Sequence, residues 1–207
     1  MKRVGETAWL IPLPSSERVG AVSTRVRATE VERVRDVVPG ARSVLVVFRD
    51  PPGEADRAWL AGIAAEGCLD ARAVAPGVAA AQRWHDVPVR YDGDDLEVVA
   101  RRAGLSVDQT IALHASATYR VAFVGFQPGF AYLDGLPDRL WTPRRASPRT
   151  RVPRGAVAIG GEWTGIYPSE SPGGWHLIGH TDLDLFNPHA ARPALFEPGD
   201  LVRMVPR

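Results

Sequence analysis

The feature that most constrains this fold is a segment dense in glycine and proline, from Tyr119 to Thr181. Glycine serves positions where φ is positive or where another group approaches the backbone closely, and proline fixes φ and removes a hydrogen-bond donor. Such a segment is typical of shaped loops between short strands and not of packed helices. Because loops on a rigid scaffold often carry binding and catalytic residues, we expect the functional site in this part of the chain.

Short apolar runs separated by turn residues continue toward the end of the chain. They read YRVAFVGF, AVAIGG, TGIYP, WHLIGHT and LFEPGDLVRMV. Many short strands between glycine and proline turns indicate a closed β architecture. Before them the pattern predicts a strand over 84–91 and two helices, over 94–103 and 107–115. The second of these helices would begin with a capping box from Ser106 to Gln109.

The first 82 residues predict a separate α+β unit. In chain order its predicted elements are a strand over 7–13, a helix over 17–28, strands over 33–38 and 43–49, and a helix over 54–66. Followed by an edge strand, this order is that of a ferredoxin-like domain. The sequence therefore predicts a ferredoxin-like α+β domain over 1–82 and a mainly β domain over 83–207. The buried face of the last helix is expected to carry Ala55, Ala58, Trp59, Gly62 and Ile63.

Composition excludes several classes of protein. Among 207 residues, 25 basic and 24 acidic side chains leave a net charge of +1, which supplies no field for binding nucleic acid. The single cysteine, Cys68, cannot form an intramolecular disulfide, and no secretory or membrane-spanning segment is apparent, so we expect a cytoplasmic protein. Lys2 is the only lysine, which excludes a P-loop, Schiff-base or biotin-accepting lysine in this chain.

Arginines dominate the proline-rich stretch before Gly155. Guanidinium groups bind carboxylate or phosphate through two parallel hydrogen bonds, so an arginine held by neighbouring prolines is a candidate anion clamp. Arg144 and Arg149 are the strongest candidates, because each directly follows a proline and each lies in the PRRASPR block. The six arginines of this stretch are Arg139, Arg144, Arg145, Arg149, Arg151 and Arg154.

The SPGGW block offers a second candidate site. Gly173 or Gly174 is predicted to have positive φ and to point a backbone N–H at a substrate oxyanion, in a cleft shared with Tyr167 and the Arg144 loop. Ser171 lacks the sequence context of an activated nucleophile, so we expect it to donate a hydrogen bond to the substrate.

Two histidines could suggest a metal site, but their spacing in the sequence argues against one. His176 and His180 lie in a segment that alternates like a strand, which places their rings about 13 Å apart, too far to share one ion. We therefore expect no metal site here. His85 and His114 are expected to be structural or surface residues. In GFQPGFAYL, Gln127 is the side chain able to read a polar group of a substrate.

Three long blocks, GFQPGFAYL, PRRASPR and YPSESPGGWHLIGHT, carry a family resemblance. In this order and spacing they resemble the family that contains the B subunit of 5-oxoprolinase, the sporulation kinase inhibitor KipI and allophanate hydrolase subunit 1. The resemblance extends to VPVRYDGDDLEVVARRAGL and EPGDLVRMVP. It implies a cyclophilin-like barrel for the second domain. The family more often has arginine where this chain has His180, which puts in doubt an anion contact at that position.

The resemblance leaves three functions open. The first is the B subunit of an ATP-dependent 5-oxoprolinase, an amidohydrolase that opens 5-oxoproline to glutamate. It would be active only together with the A subunit of that complex and with its C subunit, which is homologous to this chain. No cofactor would be bound by this chain alone, and the complex would use ATP. The second is an inhibitor that docks on a sensor histidine kinase. The third is a role in urea or allophanate metabolism, which would require biotin carried elsewhere.

Overall fold

The structure, a computed structural model, describes residues 1–29, 31–66 and 83–207. The chain divides into two compact units, Met1–Ala81 and Gln82–Arg207. Cys68, the predicted break at 75–81 and the predicted edge strand lie outside the described residues. No helix in the described ranges is long and apolar enough to cross a membrane.

The first unit is an antiparallel sheet with two helices. In the described part of this unit the elements are β1 (Lys2–Val4), β2 (Ala8–Pro12), α1 (Ser16–Ala28), β3 (Val34–Pro39), β4 (Ser43–Phe48) and α2 (Glu54–Glu66). The sheet order is β1-β2-β4-β3, so β4 lies inside the sheet and β1 is a strand that the sequence pattern did not predict. The turn between β3 and β4 is closed by a hydrogen bond from the Gly40 N–H to the Ser43 carbonyl.

The buried face of α2 differs from the prediction. Leu60 and Ile63 enter the core of the first unit, and Trp59 packs against that core only partly buried. Ala55, Ala58 and Gly62 are exposed. The face is rotated because Asp56 is buried, where its carboxylate accepts hydrogen bonds from the Gly53 N–H and from Arg33. A buried acid with two donors displaces the small apolar residues that hydropathy alone would place inside.

The second unit is built around a sheet that almost closes on itself. Its order in the described residues is β12-β9-β10-β7-β6-β13-β5, antiparallel except for the parallel pair β13 and β5, and a separate pair joins β11 to β8. Its described elements are β5 (Trp84–Val89), α3 (Leu96–Ala103), α4 (Val107–Ser116), β6 (Thr118–Val124), β7 (Ala131–Asp134), a 3-10 turn (Asp138–Leu140), β8 (Arg149–Val152), β9 (Ala156–Gly160), β10 (Trp163–Ile166), β11 (Ser171–Gly173), β12 (His176–His180) and β13 (Leu201–Pro206).

Closure of this sheet depends on one pair of residues at the strand ends. Arg90 and His180 exchange backbone hydrogen bonds of 2.9 and 2.7 Å, which joins the end of β5 to the end of β12. The prediction of short strands in a closed β architecture is confirmed in this coarse form, as a mixed α/β protein with a nearly closed barrel-like sheet. Both predicted helices form, and the capping box from Ser106 to Gln109 is present with hydrogen bonds of 3.0 and 3.1 Å.

Candidate functional site

A buried carboxylate holds the PRRASPR loop. Asp95 lies at the N-terminal end of α3 and is 3% exposed, and its side chain does not cap the helix. Instead it accepts two hydrogen bonds from Arg149, of 2.8 and 3.0 Å, and one of 2.8 Å from Arg145. A fourth comes from the Leu177 N–H at 2.8 Å. One acid thus ties together α3, the arginine loop and β12.

The ion pairs of this cluster shift the pKa values of Asp95 and Arg149. Burial by itself would raise the pKa of Asp95, but the hydrogen bonds from Arg149 and the Leu177 N–H, together with the charges of Arg149 and Arg145, hold that pKa below its usual value. The same ion pair raises the pKa of Arg149. The guanidinium of Arg149 is therefore occupied by Asp95 and stabilises the loop.

Four of the remaining arginines of the stretch are also engaged. Arg139 donates to the carbonyls of Ala103 and Gly104, at the end of α3. The others pair with carboxylates: Arg145 with Asp95, Arg151 with Glu170, and Arg154 with Asp184.

Arg144 is the exception among the six. Its side chain makes no ion pair or hydrogen bond with any residue that the structure describes, and it is exposed. Its charge acts on two phenols, since it opposes the rise in pKa that burial causes at Tyr132 and Tyr167. Of the two arginines that the sequence favoured, Arg149 pairs with Asp95, and Arg144 has no carboxylate partner among the described residues.

Anchors on both sides hold the backbone at Arg144. The His176 Nε2 donates to the Pro143 carbonyl at 3.0 Å, and the Arg145 N–H donates to the Gly174 carbonyl at 2.8 Å. The Arg145 side chain is held in turn by Asp95. The loop is therefore attached to β12 and the SPGGW turn, and Arg144 projects from a supported position. Such support lowers the ordering cost when a ligand binds.

Arg144 borders an open cleft of about 550 Å³. Thr142 and Gly161 hold its walls together with reciprocal backbone hydrogen bonds of 3.1 and 2.6 Å. The residues around the cleft are Arg102, Trp141, Thr142, Pro143, Arg144, Gly160, Gly161, Glu162 and Trp163.

A layer of aromatic rings supports this cleft. Trp163 packs edge-to-face against Phe123 at 5.4 Å and Tyr132 at 6.2 Å, and Tyr132 packs against Trp175 at 5.6 Å. Such contacts hold each ring in one orientation. At another end of the layer, Phe126 is 61% exposed and has a φ of 69°, a left-handed conformation that is rare for a bulky side chain and often marks functional sites.

The SPGGW turn is a packing corner, and the prediction of positive φ there is wrong. Neither Gly173 nor Gly174 has positive φ, and Gly173 belongs to β11, opposite Arg149 of β8. A Cβ at Gly173 would lie 2.4 Å from the Tyr167 hydroxyl oxygen, so glycine serves close approach of the phenol. That oxygen accepts the Trp175 backbone N–H, which lowers a pKa that burial otherwise raises.

The other predicted site residues, Ser171, Gln127 and His180, do not border the Arg144 cleft. Ser171 has a buried Oγ with no hydrogen-bond partner among the described residues, and Gln127 exchanges hydrogen bonds with Ser169 across two loops. His180 borders a different, smaller cleft of about 190 Å³, where its Nε2 lies 3.1 Å from the Arg154 carbonyl. The structure brings Arg144, Tyr167, Gly173 and Gly174 to one region, but of these four only Arg144 borders the cleft described above. Nothing in these contacts assigns a substrate to Ser171, Gln127 or His180.

Two histidines that the sequence predicted to be structural or surface residues are structural. His114 is fully buried between the Tyr91 hydroxyl at 2.8 Å and the Thr164 hydroxyl at 3.1 Å, and burial lowers its pKa to about 3. Thr164 donates to the Ala158 carbonyl, so it accepts from Nε2–H, and Nδ1 of the neutral ring accepts from Tyr91. His85 lies 3.0 Å from Asp200.

Sequence reasoning missed four residues of this region: Asp95, Arg102, Trp141 and Trp163. Asp95 resembled an ordinary acid at a helix start, and Arg102 an ordinary base at a helix end. The tryptophans stood outside the three blocks that drew attention. Only the PRRASPR block carried a signal that could have led to the site. Within the described ranges no group of three or more His, Cys, Asp and Glu residues is placed to hold a metal ion.

Comparison with known proteins gives consistent matches across the chain. Residues 1–196 match the family described as carboxyltransferase domain, subdomain C and D. The chain is 42% identical over 220 residues to the B subunit of 5-oxoprolinase from Escherichia coli O157:H7, a match that covers 99% of this chain and 94% of that protein.

Solved structures show the same fold in longer chains. The crystal structure of TTHA0988 matches with a TM-score of 0.77 and 33% identity over 97% of this chain, which spans 40% of the TTHA0988 chain. The urea amidolyase of Kluyveromyces lactis matches with a TM-score of 0.79 over the whole of this chain and 14% of its own. At 19% identity, that second likeness concerns the fold alone.

Proposed function

This chain belongs to the family of the carboxyltransferase domain, subdomains C and D, and on that premise we propose that it is the B subunit of an ATP-dependent 5-oxoprolinase. The complex would convert 5-oxoproline, ATP and water to glutamate, ADP and phosphate. The observation that carries the proposal is the 42% identity to a protein of that name along nearly the full length of both chains. The likeness to urea amidolyase does not favour the urea pathway, because it concerns the fold alone.

Arg144 supplies the chemical part of the proposal. An amide is a poor electrophile, and phosphorylation of the ring amide would make it susceptible to water. Substrate and intermediate are both anionic, so the reaction needs a cation that no protein carboxylate has neutralised. Arg144 meets that requirement among the arginines of its loop, whereas Arg149 and Arg145 are bound to Asp95. A charge-assisted hydrogen bond to the ligand contributes about 1.5 to 3 kcal/mol.

The chain is proposed to work only within a cytoplasmic complex, together with its homologue, the C subunit, and with the A subunit. Lys2 is the only lysine, so a lysine of the P-loop kind cannot bind ATP in this chain. The finer assignment of the two units, as a ferredoxin-like domain and a cyclophilin-like barrel, belongs to the same proposal. It agrees with two helices beside an antiparallel sheet in the first unit and with a nearly closed sheet in the second.

The test is reconstitution. The chain is purified alone and together with its co-expressed neighbours, and glutamate release from 5-oxoproline is followed with and without ATP. We expect ATP-dependent release by the assembled complex and none above background by the isolated chain. Full turnover by the chain alone would show that partner subunits are not required. The absence of turnover in every assembly would reject the proposed function.

The R144A and R144K variants locate the site within the reconstituted complex. A bidentate contact depends on the planar guanidinium, so the lysine variant should lose most of the activity although it keeps the charge. R151A is the matched control, because Arg151 is an exposed arginine of the same stretch that pairs with Glu170 on the surface. Wild-type turnover by R144K would show that Arg144 does not grip the anion.

A further inference from the structure

We propose that the sheet of the first unit is a docking surface for a second copy of this chain, and that two copies pack their sheets face to face around a two-fold axis parallel to the strands. The inference concerns assembly and does not depend on the proposed reaction. It follows from which face of the sheet the helices cover and from where the charges lie on the other face.

Both helices of the first unit pack on one face of the sheet. Val44, Val46 and Phe48 of β4 form one apolar cluster with Val22 of α1 and Leu60 of α2. Successive side chains of a strand point to opposite faces of its sheet. The residues that alternate with these three therefore lie on the opposite face, which we call the open face.

The open face is apolar across its middle. Strand pairing places on it two neighbouring rows, each running from β1 to β3: one of Lys2, Leu10, Leu45 and Val38, the next of Val4, Ala8, Val47 and Asp36. Val4 is 41% exposed and Val38 is 43% exposed, while Leu10, Leu45 and Val47 are partly exposed. A contiguous apolar patch bordered by charged residues is typical of a protein interaction surface.

The edges of this sheet are poorly suited to pairing with a further strand. β1 has three residues, of which Lys2 and Arg3 are charged. β3 has an irregular register after Val34 and ends on Pro39. Short or charged edge strands, bulges and proline all oppose the addition of a strand. A partner is therefore expected on the open face, where a second sheet would pack about 10 Å away.

The charges at the two ends of the rows indicate that the partner is a second copy. Lys2 lies on the β1 edge and Asp36 on the β3 edge, and both are exposed. A two-fold axis parallel to the strands would place β1 of each copy opposite β3 of the other. Lys2 would then lie one row, roughly 7 Å, from the partner's Asp36, which a lysine side chain can span. An axis across the strands would instead bring like charges together. The open face is thus complementary to itself, as an isologous dimer requires.

The size of the face sets the expected strength of association. Four strands about 4.8 Å apart form a flat surface roughly 15 to 20 Å wide, which is small for a specific interface. We therefore expect a reversible dimer that dissociates in the micromolar range. Sedimentation velocity of the full chain over a concentration series should show monomer converting to dimer. A monomer at every concentration of that series would overturn the proposal.

A matched pair of variants locates the interface. Val4 and Val124 are both strand residues of similar exposure, 41% and 39%, but Val124 lies on β6 of the second unit. V4D should weaken the dimer about tenfold or more, because it buries a carboxylate opposite the partner's Asp36. V124D should stay within about twofold of the unaltered chain. Thermal unfolding verifies that both variants are folded. Equal weakening by the two variants would contradict the assignment of the open face.

A charge exchange tests the direction of the axis. K2E and D36K should each weaken the dimer about threefold to tenfold, since each reversal places like charges together at two symmetric positions. The double variant K2E/D36K restores opposite charges and should recover the original dissociation constant within about twofold. Loss of folding cannot produce such a recovery. A double variant that associates as weakly as the single variants would reject the two-fold arrangement.

Discussion

The two ends of one proline-rich loop use the same residue type in opposite ways. Arg149 is held by both oxygens of Asp95 and has a side chain only 19% exposed, whereas Arg144, five residues earlier, has no carboxylate partner in the described structure. Each follows a proline. The Asp95 cluster, formed by Asp95, Arg145 and Arg149, stabilises the fold. The Arg144 cleft is the proposed ligand site.

The contrast indicates that the arginines of one motif can have different roles. The role of each depends on whether a carboxylate of the protein lies within hydrogen-bond distance of its guanidinium group. A guanidinium matched to a buried carboxylate has its hydrogen bonds made before any ligand arrives. One left without a match keeps a surplus of positive charge at the cleft. Substitutions at the two ends should therefore separate stability from activity.

The largest effect is expected in the Asp95 cluster. In D95N the two arginines lose their counter-charge, and the amide replaces at most part of four hydrogen bonds, so the free energy of unfolding should fall by about 3 kcal/mol. Urea unfolding measures this. D94N is the control, because Asp94 is 78% exposed at its side chain and lies 3.7 Å from Arg149, and it should cost less than about 0.5 kcal/mol. Equal losses would show that the cluster is not a buried ion pair.

The next largest effect is expected from replacing the arginine at each end of the proline-rich loop. R149A should lower the free energy of unfolding by about 2 kcal/mol, because Asp95 keeps only Arg145 and the Leu177 N–H. R144A should leave thermal stability nearly unchanged and lower kcat/KM of the reconstituted complex about 10- to 100-fold. The distinction between a stabilising Arg149 and a ligand-binding Arg144 would be contradicted if R144A unfolds as readily as R149A, or if R149A loses activity at full stability.

A smaller loss of stability is expected for a substitution in the SPGGW turn. In G173A the new methyl group would meet the Tyr167 hydroxyl oxygen at 2.4 Å, so we expect a loss of about 1.5 kcal/mol from overpacking. At Gly174 the nearest atom would be the Pro148 Cγ at 3.7 Å, an ordinary contact, and G174A should be tolerated. Thermal unfolding of both variants checks this. A greater loss in G174A would show that the turn depends on backbone conformation and not on the phenol.

A pH-dependent effect compares the Asp95 cluster with a buried cluster that carries no charge. His114 has a pKa of about 3 in the folded protein and near 6.5 when unfolded, so only the unfolded chain takes up its proton in between. Stability should therefore be full above pH 6.5 and fall by about 1 kcal/mol per unit as the pH decreases through this window.

Asp95 contributes to acid lability in a different range. Its pKa lies below the ordinary value of 3.8, so its stabilisation is present above that value and is lost only as the pH falls further. Unfolding measured between pH 6.5 and 4.5 thus isolates His114. The H114Q variant should show a flat profile there, with a lower plateau, while D95N keeps the slope. A slope unchanged in H114Q would assign the effect to other groups.

Local patterns predicted most of the secondary structure. Alternation and turn residues were sufficient for six strands of the second unit, and the Ser106 box for the start of α4, because these signals act between residues close in sequence. The short strands β7, β8 and β11 were not predicted. Local patterns also failed at α2, where buried Asp56 changed the inward face, and at β1, whose exposed residues Lys2, Arg3 and Val4 show no alternation.

The candidate site was predictable only in part. The PRRASPR block led to Arg144 because charge and proline density are visible in the sequence. The same reasoning ranked Arg149 equally, since nothing near it in sequence shows that Asp95, 54 residues away, accepts two of its hydrogen bonds. The positive φ expected at Gly173 or Gly174 was wrong for a similar reason: the phenol that requires the glycine belongs to another strand end.

By itself the sequence determined the family, the closed β character of its second half and the candidate arginines, all of which depend on residue type and short-range order. Tertiary structure alone decided which arginine remains available, that Arg102 and Glu162 border the same cleft as Arg144, and that His114 is buried without charge. The physical reason is that charge pairing and burial depend on distances across the fold. Those distances join residues that are tens of positions apart in the chain.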